Sequence, residues 1–323
     1  MHPPGSPQLI DLHPPPADLA RVVRQGLRRQ PRQLPAWLLY DDEGSRLFER
    51  ISEQPEYSLT RVETALLESE ASALAAALGP GVLLEFGAGN QRKVGPLLEA
   101  LRPAAYVPLD ISAGHLNQAC QALQRRHPQV PMLPICCDYS QLQELPNHPL
   151  LRGQRRLGFY PGSSIGNFSS AEAQDLLAQF RRLLGPEGAL LIGIDRPKDV
   201  GRLEAAYNDA AGVSAAFARN LLVRLNRELH GSFDPRSFRY EALWQASDQR
   251  IAMALVSERA QTITLAGEPW SFAAGETLIT EYSVKYTPEQ LMALAAPVGW
   301  RLQRQWSDPA YDLSLLLLER SDS

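Results

Sequence analysis

Short apolar runs alternate with amphipathic stretches of helical spacing between residues 62 and 195. A parallel strand buried on both faces is an almost continuous apolar run, whereas a helix packed on a sheet repeats its apolar residues every three to four positions. The pattern therefore predicts an α/β fold with a parallel, doubly wound sheet. The predicted strands are 82–86, 105–109, 132–136, 156–160 and 189–194, and the predicted helices are 62–79, 92–101, 113–126 and one that a capping box (Ser169 and Glu172) opens and Gly185 ends.

The pattern changes after residue 198. A single long helix is predicted over 199–229, and residues 230–286 then alternate apolar and polar positions in the manner of successive β-strands. We interpret this stretch as an insertion of mostly β-structure. A last helix over 287–296 and the apolar runs 300–306 and 311–318 are expected to return to the sheet, the two runs as its antiparallel edge.

These patterns divide the chain into five segments. Six of the first 16 residues are prolines, so residues 1–16 are expected to form a disordered or extended lead-in. Residues 17–61, which begin with helical spacing over 17–30, are expected to form a helical or lid segment of a substrate-binding domain. The other three segments are the doubly wound domain (62–198), the substrate-binding insertion (199–286) and the return to the sheet (287–323).

Composition and charge narrow the class of partner. The chain has 323 residues, is 44% hydrophobic and carries a formal net charge of −4, so it can bury a core but lacks the surplus of Lys and Arg that nucleic-acid phosphates require. Cys120, Cys136 and Cys137 show neither the spacing of a zinc site nor the number of a disulfide framework. No signal-peptide pattern and no apolar run of membrane-spanning length is present. We therefore expect a soluble, cytoplasmic monomer that binds a small molecule, without metal, nucleic acid or membrane.

The first predicted strand leads directly into Gly87-Ala88-Gly89. Glycines allow tight turns and let a ligand approach the backbone, and Asp110, at the tip of the next strand, is placed to accept from a ribose hydroxyl. The third glycine of a dinucleotide fingerprint and the Lys-Ser/Thr pair of a P-loop are both missing. The pattern therefore favours S-adenosylmethionine over NAD or ATP, because this cofactor has no pyrophosphate for a helix N-terminus to bind. An ordinary tight turn, with Asp110 capping the next helix, is the alternative.

The carboxyl ends of parallel strands meet at one edge of a sheet, where such folds bind their ligands. Polar residues and a glycine occupy these ends in the predicted sheet. They are Gly87, Asp110, Asp138, Asn167 and Asp195.

Several ordered segments together resemble the histidine Nα-methyltransferases of ergothioneine biosynthesis, from about residue 34 to residue 320. The resemblance implies a Rossmann-like methyltransferase fold and transfer of methyl groups from S-adenosylmethionine to the α-amine of L-histidine. It rests on Trp37-x-x-Tyr40-Asp41 with Gly44-Ser45-x-Leu47-Phe48, on Pro55-Glu56-Tyr57 with Thr60-Arg61, on the glycine loop, and on residues 160–168, 206–213 and 280–285.

The resemblance also implies roles for individual residues. Cofactor binding, on the 62–198 domain, would fall to Gly87, Lys93, Asp110, Asp138 and Tyr139. Catalytic and substrate-holding roles would fall to Tyr57, near the junction of cofactor and amino acid, and to Asn167 and Tyr207, which would hold the substrate carboxylate. The imidazole would be bound by Glu281 and Ser283, with Met253 lining its pocket.

The chemistry of the residues agrees with these roles. Methyl transfer from a sulfonium is an in-line displacement that mainly requires positioning of a neutral amine. Glu281 and Ser283 lie two residues apart on a predicted strand, so they face the same way and can bind both imidazole nitrogens. The residues have alternative interpretations. In these, Asn167 braces its loop, Tyr57 and Tyr207 are packing residues, Glu281 and Ser283 form a solvated strand face, and Met253 fills the core.

The resemblance therefore implies a methyltransferase that acts on L-histidine, three times, to give the trimethylated betaine hercynine. One alternative is the same scaffold methylating another amine, such as tyrosine. Another is a protein that binds the cofactor without catalysis, as a sensor or regulatory subunit.

Overall fold

The computed structural model describes residues 7–12, 16–89, 91, 93–308, 310 and 312–321, without the side chains of residues 16–18. The chain forms two compact units. Unit 1 consists of Met1–His13, Leu59–Pro197 and Lys285–Ser323, and unit 2 consists of Pro14–Ser58 and Lys198–Val284. Of the segments predicted from sequence, residues 1–6 and 13–15 of the lead-in, Asn90 of the glycine loop, Arg92 of the next helix and Tyr311 of the last strand lie outside the described residues.

The described residues form these elements in chain order. The strands are β1 (Ile10–Asp11), β2 (Arg32–Gln33), β3 (Val82–Phe86), β4 (Tyr106–Asp110), β5 (Ile135–Cys136), β6 (Arg156–Tyr160), β7 (Ala189–Asp195), β8 (Phe238–Gln245), β9 (Arg250–Ser257), β10 (Gln261–Leu265), β11 (Glu268–Phe272), β12 (Thr277–Val284), β13 (Trp300–Asp308) and β14 (Leu313–Arg320). The helices are α1 (Pro16–Leu27), α2 (Asp42–Ser52), α3 (Leu59–Ser69), α4 (Ala71–Leu78), α5 (Gly95–Leu101), α6 (Ala113–Arg126), α7 (Ser170–Leu184), α8 (Val200–Tyr207), α9 (Val213–Leu229) and α10 (Pro288–Ala295).

Unit 1 is built on an eight-stranded sheet with the order β1-β5-β4-β3-β6-β7-β14-β13. The first six strands pair in parallel, and β14 and β13 add antiparallel partners next to β7. The predicted α/β class with a doubly wound sheet and an antiparallel edge is confirmed. The chain leaves β3 toward β4 on one side and later returns to β6 on the other, and this switch point is where such sheets bind ligands.

Unit 2 contains a four-stranded sheet with the order β2-β12-β9-β8 and a separate β10–β11 hairpin. β12 pairs antiparallel with β9 and parallel with β2, and its register with β9 shifts between Ile279 and Glu281. The strands β8 to β12 are the β-structure predicted for residues 230–286, whereas β2 comes from the segment 17–61, for which no strand was predicted. The helices α1, α2, α8 and α9 belong to the same unit.

Two predicted helices are each divided in two. The single helix predicted over 199–229 is wrong: α8 ends at Tyr207, and α9 begins after Gly212, which has a left-handed φ of 71°. Asp209 explains the break, because its carboxylate accepts the N–H groups of Val213 and Ser214, both at 2.7 Å, and so starts a new helix. The single helix predicted over 62–79 is likewise α3 and α4, which separate at Glu70.

Prolines and a pairing between distant segments explain the other differences. The strand predicted over 132–136 is reduced to β5, because Pro134 lacks an N–H for the ladder. The helix predicted from residue 92 starts at Gly95, with Pro96 in its first turn. Within the predicted lead-in, β1 pairs in parallel with β5, which the proline-rich composition did not indicate.

Candidate active site

The glycine loop of unit 1 follows β3 in the left-handed backbone region. Gly87 has a φ of 72° and Gly89 a φ of 52°, and residues with a Cβ adopt such backbone angles only with strain. The N–H groups of Gly87 and Ala88 donate to the carbonyl of Leu109, at 2.9 and 3.1 Å. A Cβ built on Gly89 would meet no atom of the described residues within 4 Å. The loop therefore leaves room for a ligand to approach its backbone.

Asp110 holds this loop from the end of β4. Its carboxylate accepts the Gly89 N–H at 2.9 Å with one oxygen and the Ser112 N–H at 3.0 Å with the other. Burial raises the pKa of Asp110, and the hydrogen bonds from Ser112 and Gly89 oppose that shift. Each carboxylate oxygen can accept more than one bond, so Asp110 fits a ribose hydroxyl as well as the loop.

Asp138 and Tyr139 follow β5 at the same edge of the sheet. Asp138 accepts from the backbone N–H of Ser140 at 3.0 Å and from its hydroxyl at 2.6 Å. The Tyr139 hydroxyl lies 3.3 Å from that of Tyr160, and a Cβ built on Gly87 would lie 3.5 Å from the Tyr139 oxygen. Burial raises the pKa of Tyr139, so its hydroxyl stays neutral beside the glycine loop.

Lys93 is bound by an acid that sequence analysis missed. Its Nζ lies 2.6 Å from the Oε2 of Glu63, a residue of α3 with a fully buried side chain. A signal was present in the sequence, because Glu63 lies four residues from both Leu59 and Leu67 on the apolar face of its helix. A charged residue on such a face requires a partner.

Asn167 ends a 3₁₀ turn, Ser164–Asn167, that follows β6 in unit 1. The turn begins after Ser163, whose φ is 56° and whose hydroxyl accepts the Asp195 N–H at 2.9 Å. The Asp195 carboxylate in turn pairs with Lys285 at 2.8 Å, and both side chains are buried. These contacts hold the turn that carries Asn167, and the Asp195–Lys285 pair is a second feature that sequence analysis missed.

Unit 2 brings three of the predicted substrate residues together. The hydroxyls of Tyr207 and Ser283 are 2.8 Å apart, and the ring of Tyr57 meets that of Tyr207 edge-on with centroids 5.9 Å apart. Tyr240 donates its hydroxyl proton to the Tyr207 carbonyl at 2.8 Å. The end of α8 is therefore fixed against the β-sheet of the unit.

Glu281 and Met253 are register partners on β12 and β9. Glu281 is 8% exposed and Ser283 is 4% exposed, so the alternative of a solvated strand face is wrong. The Tyr40 hydroxyl donates to Glu281 Oε1 at 3.4 Å, a contact that the sequence did not indicate. Met253 is buried with Leu203 in a cluster that Tyr207 also contacts. Unit 2 thus encloses a carboxylate and a hydroxyl among apolar and aromatic groups.

The predicted site residues fall into two groups. Unit 1 contains Gly87, Lys93, Asp110, Asp138, Tyr139 and Asn167, and unit 2 contains Tyr57, Tyr207, Met253, Glu281 and Ser283. The described residues include no group of three or more His, Cys, Asp or Glu side chains placed to bind a metal ion. Among these residues, no helix has both the length and the apolar character needed to span a bilayer.

Comparison with known proteins identifies the family. The model of the family described as histidine-specific methyltransferase, SAM-dependent, matches residues 19–320. The histidine N-alpha-methyltransferase of Mycolicibacterium smegmatis is 39% identical over 309 residues, which cover 94% of this chain and 95% of that protein. The protein of the same name from Mycobacterium tuberculosis is 36% identical over 306 residues, covering 93% of this chain and 94% of that protein.

A third relative is ergothioneine biosynthesis protein 1 of Neurospora crassa, 30% identical over 312 residues, which cover 90% of this chain and 34% of that larger protein. The resemblance inferred from the motifs is thereby confirmed. The chain belongs to the family of histidine-specific methyltransferases and is an enzyme that uses S-adenosylmethionine.

Proposed function

We propose that this enzyme methylates the α-amine of L-histidine three times and so forms hercynine for ergothioneine biosynthesis. One observation carries the choice of substrate: Glu281 and Ser283 lie two residues apart on β12 and are both buried. A buried carboxylate beside a hydroxyl suits a ligand that presents two nitrogens, as imidazole does. The names of the relatives from M. smegmatis and N. crassa support the same substrate and pathway.

In this proposal Glu281 accepts an imidazole N–H, or pairs with the charged ring, and Ser283 bonds the other nitrogen. Hydrogen bonds to an ionised carboxylate are roughly twice as strong as neutral ones, and the near-complete burial of Glu281 limits screening by water. Met253 supplies an apolar wall to the ring, since it is buried on the neighbouring strand. Together the three residues favour imidazole over a purely apolar ring.

We assign Asn167 and Tyr207 to the substrate carboxylate and Tyr57 to the neighbourhood of the amine, as the family resemblance implies. An amide N–H and a phenol O–H are both donors that a carboxylate accepts. The contact between Tyr207 and Ser283 supports a pocket in which the groups that hold the two ends of histidine are neighbours.

On the cofactor side we propose that Gly87, Asp110, Lys93, Asp138 and Tyr139 hold S-adenosylmethionine. The open approach to the glycine loop and the acceptor capacity of Asp110 fit its adenosine part. When bound, this cofactor supplies an electrophilic methyl group on a sulfonium. The protein has to orient a neutral amine toward it. An α-amine at a chain N-terminus has a pKa of about 8, and that of a free amino acid is somewhat higher because of its carboxylate, so loss of the proton requires only a modest shift of this pKa.

The alternative that remains is methylation of another amine, such as that of tyrosine. The direct test incubates the protein with S-adenosylmethionine and each free amino acid and follows added methyl groups by mass spectrometry. Products of histidine carrying one, two and three methyl groups are expected. A protein that leaves histidine unmodified but methylates another amino acid contradicts the proposal.

We also propose that the enzyme works as a monomer in the cytoplasm, without nucleic-acid or membrane partners. Its net charge of −4 supports a small-molecule substrate over a polyanion. Light scattering of the purified protein, and its distribution on cell fractionation, test these two points.

A further inference from the structure

Glu63 is a fully buried carboxylate in unit 1. Its residue is 0% exposed, and it lies on the apolar face of α3 between Leu59 and Leu67. Burying a carboxylate is costly unless it is paired and hydrogen-bonded. The groups that pair with Glu63 therefore indicate its role in the protein.

Glu63 joins two segments that the proposed function uses. Both of its oxygens lie 2.9 Å from the N of Gly162, whose N–H donates to them, and Oε2 lies 2.6 Å from Nζ of Lys93. Gly162 stands in the loop between β6 and the turn that carries Asn167. Lys93 follows the glycine loop after β3.

The carboxylate lies against a glycine of β7. A Cβ built on Gly193 would overlap Glu63 Oε1, so a larger residue there would displace the acid. A Cβ built on Gly162 would lie 3.1 Å from Lys93 Nζ, which shows that the ammonium rests against the backbone of this glycine. The ammonium is therefore paired with Glu63 and limited in its movement by Gly162.

The two partners differ in their access to a ligand. The Lys93 side chain is 17% exposed, whereas that of Glu63 is not exposed at all. An ammonium has three donors, so Lys93 can bond Glu63 and still present donors to a ligand oxygen. Lysine is otherwise a flexible four-carbon chain whose ordering costs rotamer entropy.

We propose that Glu63 is a positioning residue for the cofactor, because it fixes the Lys93 ammonium against Gly162 so that the remaining donors face an acceptor oxygen of S-adenosylmethionine. Glu63 does not touch the cofactor itself. This inference rests on the proposed role of Lys93 in cofactor binding, and it does not depend on which amine is methylated.

The test is a double-mutant cycle on cofactor affinity. Glu63→Gln, Lys93→Met and the double variant are titrated calorimetrically with S-adenosylmethionine. Glu63→Gln keeps the size of the side chain but points an amide at two donors, so we expect the Kd to rise roughly tenfold, as for loss of a hydrogen bond to a charged group. The double variant should bind no more than about twofold worse than Lys93→Met, because coupled residues are not additive.

A matched control separates positioning from general destabilisation. Trp300 is also buried in unit 1, and its indole N–H donates to the Leu177 carbonyl at 2.9 Å. It lies at the start of β13 and pairs with Arg320, next to the residue that pairs with the first residue of β7, so it belongs to the sheet edge opposite the proposed cofactor residues. Trp300→Phe should lower Tm as Glu63→Gln does but leave the cofactor Kd within about twofold. If Glu63→Gln does not fold, Glu63→Asp, which keeps the charge with a shorter reach, replaces it and should give a smaller loss of affinity with the same cycle.

Three outcomes would overturn the inference: an unchanged Kd in a folded Glu63 variant, losses that multiply in the double variant, or an equal loss in Trp300→Phe. None of these titrations contains histidine. Failure of the histidine assay with an intact cycle would refute the proposed substrate and leave the role of Glu63 standing.

Discussion

Replacement of Glu281 by alanine is the sharpest test of the proposed substrate. The carboxylate lies on β12 beside the buried Met253 of β9, and the Tyr40 hydroxyl donates to it at 3.4 Å. If this group binds the imidazole, its removal should weaken histidine binding and leave cofactor binding intact. The second expectation follows because Glu281 belongs to unit 2, whereas the residues proposed to bind the cofactor belong to unit 1.

The expected magnitude follows from burial and charge. A hydrogen bond to a charged group contributes about 1.5–3 kcal/mol, which corresponds to a KM for histidine raised by roughly one to two orders of magnitude. Glu281 is only 8% exposed, so water can replace the lost partner poorly. Glu281→Gln keeps the shape and one acceptor but not the charge, and it should fall between the wild type and Glu281→Ala.

The assay is steady-state kinetics with histidine and with tryptophan, alongside a cofactor titration. Glu281→Ala should also shift preference toward the apolar indole ring, because the carboxylate that disfavours it is gone, and Met253→Val in the same chain should add room for it. Glu241→Ala, on β8 of the same sheet, is the control and should keep the histidine KM within about twofold. Wild-type histidine kinetics in a folded Glu281→Ala protein would refute the assignment of the imidazole to this residue.

Three further predictions concern Asp110, the substrate carboxylate and Glu85, a buried residue of β3. Asp110→Ala should weaken cofactor binding by about 1–3 kcal/mol, because a ribose hydroxyl and the Gly89 N–H lose their acceptor. Unchanged affinity by calorimetry would contradict the proposed hydrogen bond between Asp110 and the ribose. Histamine should be a poor substrate, because without a carboxylate the donors of Asn167 and Tyr207 stay unpaired, and turnover equal to that of histidine contradicts this role. Burial raises the pKa of Glu85 to about 8, above the unfolded value of 4.5, so its contribution to stability is full below about pH 4.5 and is lost as the pH rises through 8. Glu85→Gln should therefore flatten the fall of Tm over that range, and a Tm profile parallel to the wild type argues against a buried protonated acid.

Local patterns in the sequence were sufficient for the doubly wound class, the glycine loop and the β-structure of unit 2. Each of these depends on neighbours a few positions apart, whose spacing reports which face of a strand or helix is buried. The helix break at Glu70 was missed because the helical spacing of apolar residues continues across it. The break near Asp209 was missed because the sequence does not show whether an aspartate caps a new helix or lies within a continuous one.

The partners of buried charges were decided only by the tertiary structure. Tyr40 and Glu281 are 241 residues apart in the chain, and Glu63 meets Gly162 across 99 residues. No local pattern reports such pairs, because they depend on which strands and helices associate. A glutamate on a strand is usually solvated, and only the tertiary structure shows that Glu281 is buried and in contact with the distant Tyr40.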